Sequence, residues 1–342
     1  MMTLKQRIEG FVQVGLFINR HFSETKITDE LKLHEGLDKL IEVAHSYNNW
    51  FIPDFVKESI INVSLLLQKD ELLKFTSNIK EKTPKTIAVI CAGNIPLVCF
   101  HDILCVLLSG NNVLIKLSSD DKILLPFFLK LLSHYEPQFE EKILFADGKL
   151  GAFDAVIATG SNNSANHFNY YFQKYPNIIR KSRTSIAILD GNETNQDLKN
   201  LGKDIFLYFG LGCRNVSKLL IPKNYSFNLF FDSILNFGFV INNKKYSNNY
   251  DYHRAIYLLE SMPFLDNNFL MLRESNELFS PVGVLYYQYY ENEKELNEYL
   301  NNSRDSLQCI VGQKNIPFGN SQQPVISDYA DNVDTLEFLL NL

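Results

Sequence analysis

The chain has 342 residues, is 46% hydrophobic and 21% charged, and carries a formal net charge of −6. That length suits two domains, or one large α/β domain with an appendage. The acidic balance and the scatter of its 33 Lys and Arg exclude a general nucleic-acid binder, because phosphate binding needs a basic surface.

No apolar run reaches the length of a membrane span, and no signal-peptide core follows Met1-Met2-Thr3-Leu4-Lys5. The 5 cysteines include no C-x-x-C pair, and the 7 histidines form no metal-ligand pair with another His or Cys. The expectation is a cytoplasmic protein in a reduced compartment, without disulfides or a metal site.

Residues 1–83 read as helical. Apolar residues recur at helical spacing (Ile8, Phe11, Val12, Leu16, Ile18; then Leu37, Leu40, Ile41; then 55–73), with Pro53 and Asp54 as break and cap. This region carries no chemistry and reads as a helical cap or partner-contact region.

From Thr83-Pro84 the pattern becomes βαβ. A continuous apolar strand, 86–92, is of the kind buried on both faces of a parallel sheet. Gly93-Asn94-Ile95-Pro96 turns the chain into an apolar helix, 97–108, stopped by Gly110. A second strand, 113–117, is followed by Ser118, Ser119 and Asp120, natural caps for a helix at 121–133. Strands are expected at 143–146, at 154–158 (ending in Thr159-Gly160-Ser161) and at 185–189. Alternation of this kind makes a doubly wound parallel sheet, and its ligands bind beyond the carboxyl ends of the strands. The glycine-rich dinucleotide fingerprint is absent. Thr159-Gly160-Ser161 before a helix fits a phosphate cradle, a common pattern that is weak on its own.

Asn192-Glu193-Thr194 looks like the cap of a helix at 195–209, which delivers Tyr208-Phe209-Gly210-Leu211-Gly212-Cys213-Arg214-Asn215. Here a cysteine stands among glycines and beside an arginine, ahead of a strand at 218–221. A neighbouring cation favours the thiolate, the nucleophilic form. On local features alone a catalytic Cys213 and a packed core cysteine are equally good readings. Helices are then expected at 226–238, 250–261, 292–302 and 332–342, with strands at 284–288 and 307–311. The organisation expected is a helical region at 1–83, a dinucleotide-binding domain at 84–192, a catalytic cysteine domain at 193–320, and a segment at 321–342 that returns to the core or an interface.

Taken in order, Gly93-Asn94-Ile95-Pro96-Leu97, Lys116, Thr159-Gly160-Ser161, Cys213 and Glu277-Leu278-Phe279-Ser280-Pro281-Val282 resemble the aldehyde dehydrogenase superfamily. More closely, A-G-N-I-P-L, L-L-S-G-N, L-I-K-L-S-S-D-D, F-G-L-G-C-R-N-V-S-K-L and F-S-P-V resemble the acyl-CoA reductase family, which includes the fatty acid reductase component of bacterial bioluminescence systems. The resemblance runs from about residue 84 to 312.

This resemblance implies an aldehyde-dehydrogenase-like α/β fold and roles for particular residues. Cys213 would attack an acyl thioester and carry the acyl group. The Asn94 amide and the Cys213 N–H would stabilise the oxyanion. Thr159, Gly160 and Ser161 would meet the cofactor diphosphate, Glu277 and Phe279 the nicotinamide ribose and ring, and Lys116 the adenosine ribose. The acyl donor would be acyl-CoA or an acylated partner protein of the acyl-protein synthetase kind, and superfamily members commonly form homo-oligomers.

Two departures from the superfamily pattern matter. The hydrolytic glutamate of aldehyde-oxidising members has no match in Leu189-Asp190-Gly191-Asn192-Glu193, which favours reduction to the aldehyde. Where NAD-preferring members place a glutamate three residues after the lysine, this chain has Ser119, which leaves room for the 2′-phosphate of NADPH; Asp120 stands one residue away. Two alternatives stay open: a CoA-acylating dehydrogenase of short aldehydes, and a catalytically silent acyl-transfer scaffold. Cys91, Cys99, Cys105 and Cys309 read as core residues, His101-Asp102 as structural, and Arg180, Lys181 and Arg183 as a solvated basic loop.

Overall fold

Short apolar runs form the strands and amphipathic runs form the helices of a computed structural model that describes residues 2–23, 25 and 27–342. The chain divides into two units, one of residues 1–181 and 325–342, the other of residues 182–324.

The first unit opens with helices α1 (Leu4–His21), α2 (Leu31–Tyr47), α3 (Pro53–Leu66) and α4 (Lys69–Phe75). It continues through β1 (Thr86–Ile90), α5 (Phe100–Leu108), β2 (Asn112–Lys116), α6 (Leu124–Tyr135), β3 (Ile143–Phe145), β4 (Ala155–Thr159), α7 (Asn162–Phe172) and β5 (Asn177–Arg180). The five strands form one parallel sheet in the order β3-β2-β1-β4-β5. The amino-terminal helices share a continuous core with this sheet: Phe11, Phe17, Ile60, Leu104, Phe128 and Ile157 belong to the same buried cluster.

The second unit runs through β6 (Thr184–Ile188), α8 (Asn195–Phe206), β7 (Val216–Pro222), α9 (Asn228–Ile234), α10 (Lys244–Leu259), β8 (Leu265–Asp266), β9 (Met271–Glu274), β10 (Val284–Tyr290), α11 (Glu293–Ser303) and β11 (Leu307–Val311). Its sheet has the order β11-β6-β7-β10-β9-β8, parallel except for the β8–β9 pair. Because β6 pairs with β7 and β11, the units divide at 181/182, ahead of the 192/193 boundary expected from the sequence.

The chain then returns to the first unit and ends in α12 (Thr335–Leu340). Arg180 anchors this return. Its guanidinium is 2% exposed, meets Asp102 at 2.6 Å, and donates to Thr335 Oγ1 at 2.8 Å and to the Ala330 carbonyl. Arg180 therefore belongs to a buried ion pair on β5, and not to the solvated loop expected. His101 is structural as expected, its Nε2 lying 2.8 Å from the Ile326 carbonyl oxygen.

Several helices differ from expectation, two of them through Asp121. The helix after the Asn94 turn starts at Phe100 and not at 97, because Leu97 is left-handed (φ 58°) and its N–H is held by Asp121 Oδ2 at 3.1 Å. The next helix starts at Leu124, whose N–H is taken by Asp121 Oδ1 at 3.3 Å. The helix expected at 226–238 ends at Ile234 and tightens into a 3-10 stretch, Leu235–Asn242.

Among the described residues no helix is long and apolar enough to cross a membrane, and no cluster of three or more His, Cys, Asp or Glu is suited to a metal ion.

Candidate active site

In the first unit the winding direction of the sheet reverses between β1 and β4, and in doubly wound sheets ligands bind at such a point, beyond the carboxyl ends of the strands. The sequence-predicted residues of this unit gather on that edge. Asn94 is exposed in the turn after β1. The turn is braced from behind: Ser59 Oγ donates to the Pro96 carbonyl at 2.8 Å, and Asn48 Nδ2 bridges the carbonyls of Gly93 (3.4 Å) and Asp120 (3.3 Å). Lys116 closes β2 and donates to the Gly148 carbonyl at 2.5 Å. Ser119 is exposed in the loop that follows.

Thr159 closes β4, and Ser161 caps α7 by accepting the Ser164 N–H at 3.2 Å. A Cβ on Gly160 would lie 2.7 Å from Ser164 Cβ, so only glycine fits this turn against the helix. The positive end of α7 and a backbone free of side chain fit a diphosphate, and the cation of Lys116 on the same edge fits an adenosine ribose or its 2′-phosphate.

In the second unit everything turns on the way α8 ends. Thr194 and Asp197 form a capping box at its start, and Leu198, Leu201, Ile205 and Phe206 bury one face. The helix expected to reach 209 stops at Phe206: Leu207 turns extended (φ −56°, ψ 138°), and Tyr208 (φ 53°), Phe209 (φ 57°) and Gly210 (φ 77°) after it are all left-handed. Glycine adopts that conformation freely, whereas bulky side chains cost on the order of 1–3 kcal/mol each. Burial of Tyr208 and Phe209 offsets part of this.

Asn215 supplies the rest of the support. Its side chain, 1% exposed, accepts the Gly212 N–H at 2.8 Å and donates to the carbonyls of Leu207 (2.8 Å) and Asp204 (3.0 Å). Its own N–H donates to the Gly212 carbonyl at 3.0 Å.

Cys213, partly exposed, sits at the tip of this turn with its carbonyl 3.0 Å from Ser185 Oγ. Arg214 donates to the Ser321 carbonyl at 3.1 Å. The buried Asp204 carboxylate holds the same loop through the N–H groups of Gly319 (2.6 Å) and Ser321 (2.9 Å), and burial raises its pKa. Glu277 and Phe279 are exposed, and the segment that carries them is tied to β7 by Ser217 Oγ, which donates to the Leu278 carbonyl at 2.8 Å. Next to Ser217, Lys218 is fully buried, 2.7 Å from Gln288 Oε1 and 4.8 Å above the Tyr299 ring. Burial pushes its pKa down to about 8, while the charge of Glu277 acts in the opposite direction. A small cleft lies alongside, lined by Ile205, Phe209, Gly210, Ser217, Tyr246 and Pro281 among others.

Glu193 is folded back on its own loop. Its buried carboxylate accepts the N–H groups of Asp190 (2.6 Å) and Gly191 (3.2 Å), and burial raises its pKa.

Sequence reasoning missed Ser185, Asn215 and Lys218. Asn215 carried a signal, since it closes the G-L-G-C-R-N stretch. Ser185 carried none: its partners Cys213 and Cys309 lie 28 and 124 positions away.

A doubly wound parallel sheet in one unit, with a largely parallel sheet and a cysteine turn in the other, is the pattern of the aldehyde dehydrogenase fold. Solved structures agree: a Marinobacter aquaeolei oxidoreductase (TM-score 0.64, 10% identity, 91% of this chain and 73% of that chain covered); a Bacillus cereus aldehyde dehydrogenase solved as an NAD+ complex (0.62, 13%, 91% and 72%); and an E. coli NADP-dependent enzyme (0.62, 11%, 91% and 73%). Residues 15–225 match the model of the acyl-CoA reductase (LuxC) family, and the chain belongs to that family. Family and fold together make it an oxidoreductase of acyl or aldehyde groups. No curated protein matches the sequence.

Proposed function

We propose that the protein reduces an acyl thioester, long-chain acyl-CoA or the acyl group of a partner protein, to the aldehyde, with NADPH as reductant and Cys213 as nucleophile. The observation that carries this reading is the Cys213 turn. A strained backbone, buried against Asn215, presents a partly exposed thiol at its tip, and strain of this kind concentrates where function requires it.

The Cys213 thiolate attacks the thioester carbonyl, the C–S bond to the leaving thiol breaks, and that thiolate departs to take up a proton. The acyl group stays on Cys213 as a new thioester. A bound nicotinamide would supply the hydride that reduces it. The tetrahedral oxyanion so formed collapses with cleavage of its C–S bond, which releases the aldehyde and returns Cys213 as the thiolate. The family pattern adds the Asn94 amide and the Cys213 N–H as oxyanion donors. The Glu193 carboxylate is engaged by the N–H groups of Asp190 and Gly191, which supports hydride transfer over hydrolysis. Ser119, exposed beyond Lys116, supports the choice of NADPH over NADH.

Incubation with radiolabelled acyl-CoA tests the reading. The label is expected on the wild-type chain and absent from Cys213→Ala, and a label that survives the substitution sinks the mechanism. A chain-length series with NADPH and NADH in parallel settles substrate and cofactor, with long chains and NADPH expected to win.

A further inference from the structure

We infer that Ser185, held in turn by Cys309, is a positioning residue that locks the backbone of the reactive cysteine; the inference rests on Cys213 as the nucleophile. Ser185 is fully buried on β6, and three groups surround its Oγ: the Cys213 carbonyl oxygen at 3.0 Å, the Cys309 N–H at 3.2 Å and the Cys309 thiol at 3.1 Å.

The direction of each bond follows by elimination. A hydroxyl has one proton and two lone pairs. The backbone N–H of Cys309 can only donate, and the carbonyl of Cys213 can only accept. The single Ser185 proton therefore goes to the Cys213 carbonyl, which leaves the second lone pair for the thiol proton of Cys309. The chain runs one way, from Cys309 S–H through Ser185 O–H to Cys213 C=O, and Ser185 is saturated.

The other side of Cys213 is held independently. Asn215 takes the Gly212 N–H at 2.8 Å and donates its own N–H to the Gly212 carbonyl at 3.0 Å, which fixes the peptide plane that carries the Cys213 N–H. Ser185 fixes the plane on the carboxyl side. With both planes held, φ and ψ of Cys213 are set and only the side-chain torsion is free. The thiol and the proposed oxyanion N–H then move as one rigid group. Displacement of about 1 Å at such a group costs roughly 100-fold in rate.

The test is steady-state kinetics of acyl-CoA reduction by Ser185→Ala, Ser185→Cys and Ser185→Thr, each assayed well below its melting temperature, with Cys213→Ala labelling as the parent control. In Ser185→Ala, kcat is expected to fall roughly 10- to 100-fold, with KM for acyl-CoA and for NADPH within about twofold, because the hydroxyl is fully buried and the substitution leaves the binding groups in place. Ser185→Thr keeps the hydroxyl and is expected to regain most of the rate. Ser185→Cys keeps the packing but offers only a weak donor, so it should lose rate as the alanine variant does, and it carries the test if the alanine variant does not fold. Wild-type kcat in folded Ser185→Ala or Ser185→Cys, or a KM that rises in step with the loss of kcat, overturns the inference. Labelling lost in Cys213→Ala alongside wild-type kcat in the Ser185 variants overturns this inference alone, whereas labelling retained in Cys213→Ala overturns the parent reading.

Discussion

Replacing Asn215 by alanine should separate the turn from its support. The side chain makes three bonds of 2.8–3.0 Å, to the Gly212 N–H and the carbonyls of Leu207 and Asp204, and it is 1% exposed. Each bond contributes about 1 kcal/mol net, and each buried group left without a partner costs about 1–3 kcal/mol. The carbonyls have a second lone pair and recover part of this, so the expected loss is about 3–5 kcal/mol. The two left-handed non-glycine residues next door then lose the clamp that holds them. At about 3 °C per kcal/mol for a unit of this size, the calorimetric midpoint should fall by roughly 10 °C. Urea unfolding at neutral pH measures the free energy directly. Asn215→Asp sharpens the assay: it keeps the acceptor for Gly212 but turns a charge toward two carbonyls. Its carboxyl pKa should rise, and stability should recover as pH falls and the proton returns. A loss below about 1 kcal/mol in Asn215→Ala would refute the claim that this side chain holds the turn.

Two further outcomes are expected. Lys218 titrates near 8 in the folded chain against an ordinary value of 10.5, so between those values the unfolded chain binds more protons and the group's contribution to stability rises with pH. Below pH 8 the buried cation costs roughly 3 kcal/mol; Lys218→Met should remove that cost, so its stability advantage over wild type should shrink from pH 7.5 to pH 10, and a pH-independent difference would count against the assignment. Gly160→Ala places a Cβ 2.7 Å from Ser164 Cβ and should push the turn off α7; cofactor affinity measured by fluorescence titration should fall roughly tenfold, equivalent to about 1.4 kcal/mol, and unchanged affinity would remove the turn from the cofactor site.

The legible parts of the fold were those written in local pattern. The strands β1, β2, β4, β6 and β11 are short apolar runs, and Leu307–Val311 falls where the sequence places it. Strand β5 is four residues long and ends in Arg180, which looks like surface until Asp102, 78 positions away, is brought beside it. The cysteine turn was legible as composition, because glycines and an asparagine bracket Cys213. Its left-handed path was not, because Tyr208 and Phe209 avoid that conformation in isolation and accept it only when burial and Asn215 hold them there. The boundary at 181/182 was hidden for a similar reason: β6 is as apolar as the strands before it, and only its pairing with β7 and β11 assigns it to the second sheet.

The return of the chain to the first unit sets an order of assembly. Residues 182–324 form a continuous stretch of the chain. The first unit is cut in two by that insertion, and α12 is made only after residues 182–324. Until then the guanidinium of Arg180 has Asp102 but lacks the Ala330 carbonyl and Thr335, and His101 lacks the Ile326 carbonyl. The first unit therefore completes these bonds only after the second unit has been synthesised. A recombinant fragment ending at residue 181 would present a buried cation with part of its shell missing, so the first unit is best studied in the whole chain.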